Sequence, residues 1–342
     1  MEHYDLMCKL VKMIRFMAVF LLAITLIFNY MNYSLAKENM LNNYAETVLF
    51  DLDERIFLID HLIFNPLRSQ SVSQIENVYF QQEIDYEDLD LVMQEYDEAY
   101  GAIAKNIFYA DKEGMIQYAY PDKTQDDRYE TSTIKNVIAD LTTRDLKEIK
   151  MNDRSELMVI IPVFIYTEKT SDAVQNGAII VHLNKDDMFN IVFSSINSRS
   201  DEGYVSILRP DGEIMYYPQS DFIGKNFRDI ITENTHPDLY HAILKSFEGE
   251  RGFGEYDFIQ PTKTYKNDGD IHKFFVYTPF AVDDFRWVMW YSIPMNEVVE
   301  RSGLTQLKTM AMFNLAVIIF FFIIIMFSAD SVLKYHLIIA KR

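Results

Sequence analysis

The chain has 342 residues, 49% of them hydrophobic, and a formal net charge of −19 at pH 7. That is too long for one ordinary domain and apolar enough for packed cores, while the acid excess argues against nucleic acid as a partner. The single cysteine, Cys8, excludes any internal disulfide.

Two uncharged apolar stretches stand near the ends. The first, FMAVFLLAITLIF from Phe16 to Phe28, is extended by Asn29, Tyr30, Asn32 and Tyr33, residues suited to a membrane boundary, and predicts a spanning helix over 13–33. Lys9, Lys12 and Arg15 before it, with Ser34, Leu35 and Ala36 behind, also fit a cleaved secretory signal, so that alternative stays open. The second stretch, MAMFNLAVIIFFFIIIMFS, predicts a span over 309–328 with Asn314 as its one strongly polar side chain.

The short tails 1–12 and 329–342 lie beside Lys and Arg residues. Residues 1–15 and 329–342 together carry a charge of about +3, which leaves about −22 between them. Both termini are therefore expected in the cytoplasm of a bacterial cell, with a multi-pass chain in the inner membrane and an extracytoplasmic central region.

After the first span, Leu41, Tyr44, Val48, Leu52, Ile56, Ile59 and Ile63 recur every three or four residues until Asn65-Pro66. This predicts an amphipathic stalk helix, about 45 to 50 Å long at roughly 1.5 Å per residue. A helical lead-in around Leu89–Ile103 completes the segment 34–104.

Then the period changes. FYADKEGMIQYAYP (Phe108–Pro121) and ILRPDGEIMYYP (Ile207–Pro218) read as one hairpin written twice. In each, Gly114 or Gly212 frees the turn, Ile follows two residues later, Tyr four later, and a proline closes the strand. Helical segments (Thr133–Leu141; Pro237–Phe247) and two further strands (Leu157–Pro162 with Gly177–Leu183; Phe274–Pro279 with Arg286–Ile293) follow in both. The expected fold is α+β: two tandem units over 105–198 and 199–300, each an antiparallel sheet flanked by helices.

The long helix, the Gly114 hairpin, LMVIIPVFIY, NGAIIVHLNKDDM, DGEIMYYPQSDFIGKNF and RWVMWYSIPMNEVV together resemble the double Cache, PAS-like, sensor domains of bacterial chemoreceptors, histidine kinases and diguanylate cyclases. The resemblance covers about Leu35–Leu307. It implies a small-molecule ligand in the membrane-distal unit, beside the segment Asp122–Thr133, and a signal passed through the second span. Family members that bind amino acids carry Arg-x-Trp there and an Asp after the next strand's proline. Here Arg128 stands, but Glu130 replaces the Trp and Ile165 occupies the Asp position, so that pattern is incomplete.

Arg128 is the leading candidate for ligand contact, because a guanidinium grips a carboxylate in two places. Tyr118, Tyr120, Tyr129 and Tyr166 are candidates for the pocket wall, and Asp153 and Asp172 for its rim. His182, in the apolar strand GAIIVHL, reads as a satisfied sheet residue. No metal-ligand spacing, P-loop, nucleophile elbow or dinucleotide fingerprint occurs, so no cofactor and no catalytic activity are expected of the visible chain.

The expected partners are a small-molecule ligand, the lipid bilayer, a second copy of the chain paired through Asn314, and a cytoplasmic effector. That effector, a diguanylate cyclase or histidine kinase, would lie beyond Arg342 or on another protein. The competing class is a structural assembly protein such as a polysaccharide chain-length regulator. Those regulators carry Pro and Gly at the second span, and residues 309–328 contain neither.

Overall fold

The structure, a computed structural model, describes residues 2–68, 78–81, 83–121, 129–139, 141–151, 154–166, 173–197, 203–258, 271–282 and 285–340. Its contacts divide the chain into two units, Val48–Pro294 and a second made of Met1–Thr47 with Met295–Arg342.

Helix α1 runs without a break over Glu2–Arg68, so the first span and the stalk are one helix. No Gly or Pro occurs before Pro66, and nothing else in the sequence interrupts the backbone ladder. The described helix reaches Arg68, two residues past that proline. At the other end, α2 (Met295–Arg301) precedes α3 (Leu304–Ala340). Within these helices Lys9–Ile63 and Leu304–Ala329 each hold an 18-residue stretch apolar enough to cross a membrane, of mean hydropathy 2.3 and 2.8.

Phe16, Phe20, Ile27 and Phe28 on the first, and Phe313, Phe320, Phe321 and Phe327 on the second, are exposed on the protein surface. Two such rows of apolar side chains fit hydrocarbon rather than water. Thr25 and Thr309 donate their hydroxyls to the carbonyls of Leu21 and Thr305, which satisfies them within the helix as a bilayer requires.

The unit Val48–Pro294 carries two sheets. The first is built from β1 (Val78–Gln81), β2 (Ala104–Asp111), β3 (Ile116–Tyr120), β4 (Asp145–Met151), β5 (Arg154–Tyr166) and β6 (Ala173–Leu183). The second holds β7 (Tyr204–Leu208), β8 (Ile214–Tyr216), β9 (Gly252–Phe258), β10 (Ile271–Val282) and β11 (Phe285–Pro294). The second runs in the order β8-β7-β11-β10-β9, and the first has the same path in β3-β2-β6-β5-β4, with β1 added on β5.

The repeat extends to detail. A bulge falls between Tyr109 and Ala110 in one hairpin and between Ile207 and Leu208 in the other. Gly114 (φ 84°) and Gly212 (φ 95°) hold the same turn position, each donating its N–H back three residues, to Asp111 and Arg209.

The expected all-antiparallel pairing needs one correction: β1 pairs parallel with β5, Val78 opposite Val163 through Gln81 opposite Tyr166. Four residues, VYFQ, are too few to show a period in the sequence. The edge strand β4, DLKEIKM, buries Leu146 and Ile149 between charged residues, and that mixture hides the strand from an apolar search.

Helices cover both faces. Helix α4 (Tyr86–Tyr100) starts at Asp85, whose carboxylate accepts from the Glu87 N–H at 2.9 Å, and buries Leu89, Met93, Tyr96 and Tyr100 in one stripe. Tyr100 donates its hydroxyl to the Ile63 carbonyl of α1 at 3.0 Å, beside the buried Leu52, Ile59 and Ile63 of the predicted stalk face. On the opposite face of the first sheet, α5 (Thr131–Ile138) seats Ile134, Val137 and Ile138 on Phe108, Met158, Ile160, Ala178 and Ile180. Helix α6 (Lys185–Asn197) follows the first sheet, and α7 (Pro237–Phe247) covers the second with Leu239 and Ile243.

Candidate functional site

The α5 face of the first sheet is mostly apolar, and β2, β6 and β5 bring a group of polar residues together on it. Asn106 lies opposite His182, and Glu156 precedes by two residues Met158, the other neighbour of His182. Tyr129 leans on this face with its ring 4.6 Å from Phe108 and edge-on to His182 at 5.7 Å.

Its hydroxyl accepts from Asn106 Nδ2 at 3.0 Å and meets His182 Nδ1 at 2.6 Å, and His182 Nε2 is 3.2 Å from Glu156 Oε2. Assigned from this network, a neutral ring with its proton on Nε2 satisfies every member: Asn106 donates to Tyr129, Tyr129 to Nδ1, and Nε2–H to Glu156. A protonated ring donates from both nitrogens and leaves the Tyr129 hydrogen to seek another acceptor. His182 is 3% exposed, so the middle of this hydrogen-bonded chain is shielded from bulk water, while Asn106 and Glu156 at its ends are half-buried.

Burial pushes the Glu156 carboxyl up, but the His182 hydrogen bond and the charges of Lys185, His182 and Lys105 outweigh it, and its pKa ends below the ordinary value. At Lys185, 5% exposed, burial prevails instead and lowers the pKa against the attraction of Glu156, Glu148 and Glu213.

Those last two glutamates belong to a clamp between the sheets. Glu213, in the hairpin of the second sheet, accepts from the Ser155 N–H at 3.1 Å and the Ser155 hydroxyl at 3.0 Å. Arg209 donates to the same hydroxyl at 2.6 Å, and lies 3.6 Å from Glu213 and 3.4 Å from Glu148 Oε1. The Glu148 contact lacks hydrogen-bond geometry, and burial raises that carboxyl's pKa. Ser155 and Glu156 are adjacent on β5, so the Tyr129 chain and the clamp share one strand, and Lys185 feels both.

Of the expected site residues, Arg128, Asp153 and Asp172 lie outside the described residues. Tyr129 sits in the polar chain. Tyr118 and Tyr120 fall by register on the opposite, α4 face, where Tyr118 donates to Asp90 at 2.7 Å and its ring lies 5.7 Å from Tyr86. Tyr166 stacks on Tyr79 at 5.5 Å at the β1 edge. The four tyrosines are thus not gathered in one wall.

His182 is the satisfied sheet residue expected. Asn106, Glu156, Ser155, Arg209 and Glu213 escaped sequence reasoning, although one signal was present: Arg209 and Glu213 occupy the turn positions that Asp111 and Met115 hold in the first hairpin.

No protein-family model matches the chain, and none of the curated proteins does. Among solved structures it is similar to the ligand-binding domain of the Pseudomonas aeruginosa PAO1 amino acid chemoreceptor PctB in complex with L-Gln, at 16% identity and a TM-score of 0.42, over 80% of this chain and 96% of that one. It is similar to the periplasmic sensory domain of the Campylobacter jejuni chemoreceptor Tlp1 at 17% identity and a TM-score of 0.44, over 75% and 93%. A third is an extracellular ligand binding receptor from Desulfohalobium retbaense DSM5692, at 14% and 0.41, over 74% of this chain and 39% of that one. The doubled strand order and the long N-terminal helix are the features of this chain's own fold that agree with the tandem units expected from the sequence.

Proposed function

We propose that the chain is a transmembrane sensor that binds an extracytoplasmic small molecule on the α5 face of its first sheet. The observation that supports this most is the Asn106–Tyr129–His182–Glu156 chain, a polar track inside an apolar face, ending one residue from the clamp that ties the two sheets together. A ligand with a carboxylate, gripped by Arg128 and hydrogen-bonded to Tyr129, resets the protonation and position of His182 and Glu156. Lys185 and Ser155 transmit the change to Arg209 and Glu213.

The second sheet then biases α3, and a shift of about 1–2 Å in a spanning helix is enough to report it to a cytoplasmic effector. Both termini are cytoplasmic in this reading. The chain works as a homodimer in which Asn314, exposed on α3, meets its counterpart.

The test is thermal unfolding of the full chain in nanodiscs against panels of amino acids, organic acids and amines. A binding metabolite raises the midpoint, by the equivalent of about 2.7 kcal/mol at a hundredfold excess over Kd, and Arg128→Ala or Tyr129→Phe removes the rise. Silence across all three panels would favour the assembly class instead.

A further inference from the structure

The second sheet has a cavity at the place where the first has its polar chain. Hairpin and strand registers equate Asn106 with Tyr204, His182 with Ser292, Ile180 with Trp290 and Glu156 with Lys273. Tyr204, Ser206, Tyr256, Trp290 and Ser292 line a cavity of about 80 Å³ under Ile243 of α7.

Its wall is apolar except for hydroxyls and one indole, and contains no charged side chain. Trp290 is 3% exposed, and its Nε1 has no hydrogen-bond partner among the described residues. A buried donor left unpaired is destabilising, so an acceptor supplied from outside is favoured. Lys273, itself buried, holds its ammonium 4.8 Å from the centre of the Tyr204 ring, which disfavours a cationic occupant.

We infer that this cavity is a second binding site, for a small uncharged molecule with one carbonyl or hydroxyl oxygen on a short aliphatic body. An ionic ligand would lose its hydration without a counter-charge in the wall. Size sets the scale: a cavity of roughly 150 Å³ takes the six carbons of benzene, so half that volume takes about three or four heavy atoms. The occupant's oxygen accepts from the Trp290 indole and exchanges hydrogen bonds with the Ser292 and Tyr256 hydroxyls, which stand 3.4 Å apart. The site is independent of the ligand reading for the first sheet.

The chain's two tryptophans make the test direct. Trp287 packs against Phe189 and Phe280 on the other face, so Trp287→Phe leaves Trp290 as the sole reporter in the full chain in nanodiscs. Titration with acetamide and with propan-2-ol should shift its emission saturably, and acetate and isopropylammonium should not. The saturable shift should disappear in Ile243→Phe, or in Ser206→Leu should the first not fold, and should survive Tyr129→Phe. A purely linear response to every probe, or saturation by acetate or isopropylammonium in preference to the neutral pair, would overturn the proposal.

Discussion

The two sheets share strand order, hairpin turn and bulge, yet differ in what they bury at matched positions. The first places an acid, a histidine and an amide under Tyr129, all hydrogen-bonded; the second places a lysine, a serine and a tyrosine there and leaves a cavity beside an indole N–H with no hydrogen-bond partner among the described residues. A backbone can therefore be copied while its buried polar positions are rewritten. Those positions, rather than the fold, carry whatever each sheet recognises.

Substitutions at equivalent places sharpen this contrast. The largest effect is expected at Gly114, where an added Cβ would fall 2.3 Å from the Thr131 carbonyl oxygen and 2.7 Å from the Lys135 nitrogen, both backbone atoms. Gly114→Ala should cost about 4 kcal/mol of unfolding stability. At Gly212 the obstructing atoms are the ends of Arg228 and Asn226, which can turn aside, and Gly212→Ala should cost about 1–2 kcal/mol. Equal losses in denaturant titrations would show that the two turns are not supported as described.

Glu213→Ala strips the clamp of its acceptor and leaves Arg209 beside Glu148, a loss of about 3 kcal/mol. An unchanged unfolding midpoint would remove the clamp from the account. Tyr129→Phe takes the donor from His182 Nδ1 and the acceptor from Asn106, and should cost about 1–2 kcal/mol.

The smallest effect is in pH. The Glu148 carboxyl is raised above its ordinary 4.5, so stability present below that value is lost as pH rises through the raised pKa. Glu148→Gln should flatten that decline. The Glu156 pKa is lowered, so its contribution is present above 4.5 and lost as pH falls through the lowered value. Glu156→Gln should remove that acid-side loss. Unfolding midpoints followed between about pH 3 and 8 would read both, and opposite signs are the signature.

The long helix, both apolar spans and the duplicated hairpin were legible because period, length and spacing are local properties of the text. Gly114 and Gly212 announced their turns. The strands β1, β4 and β9 were not, since short or charged edge strands lack the apolar run that marks a central one. The site was half legible: Tyr129 and His182 could be named singly, but their hydrogen bond spans 53 residues. No sequence pattern pairs Asn106 with His182 or Ser155 with Glu213; only sheet register and the docking of one hairpin on another strand do.

Everything functional requires the unit Val48–Pro294 to face outward from the membrane while both ends of the chain stay inside. Labelling of intact cells with a membrane-impermeant maleimide tests this, because Cys8 is the sole native thiol and Lys245 is exposed on α7. The account predicts that Cys8→Ser with Lys245→Cys is labelled at once, and that the native Cys8 is labelled only after the cells are permeabilised. Labelling of Cys8 in intact cells, with Lys245→Cys protected, would contradict it.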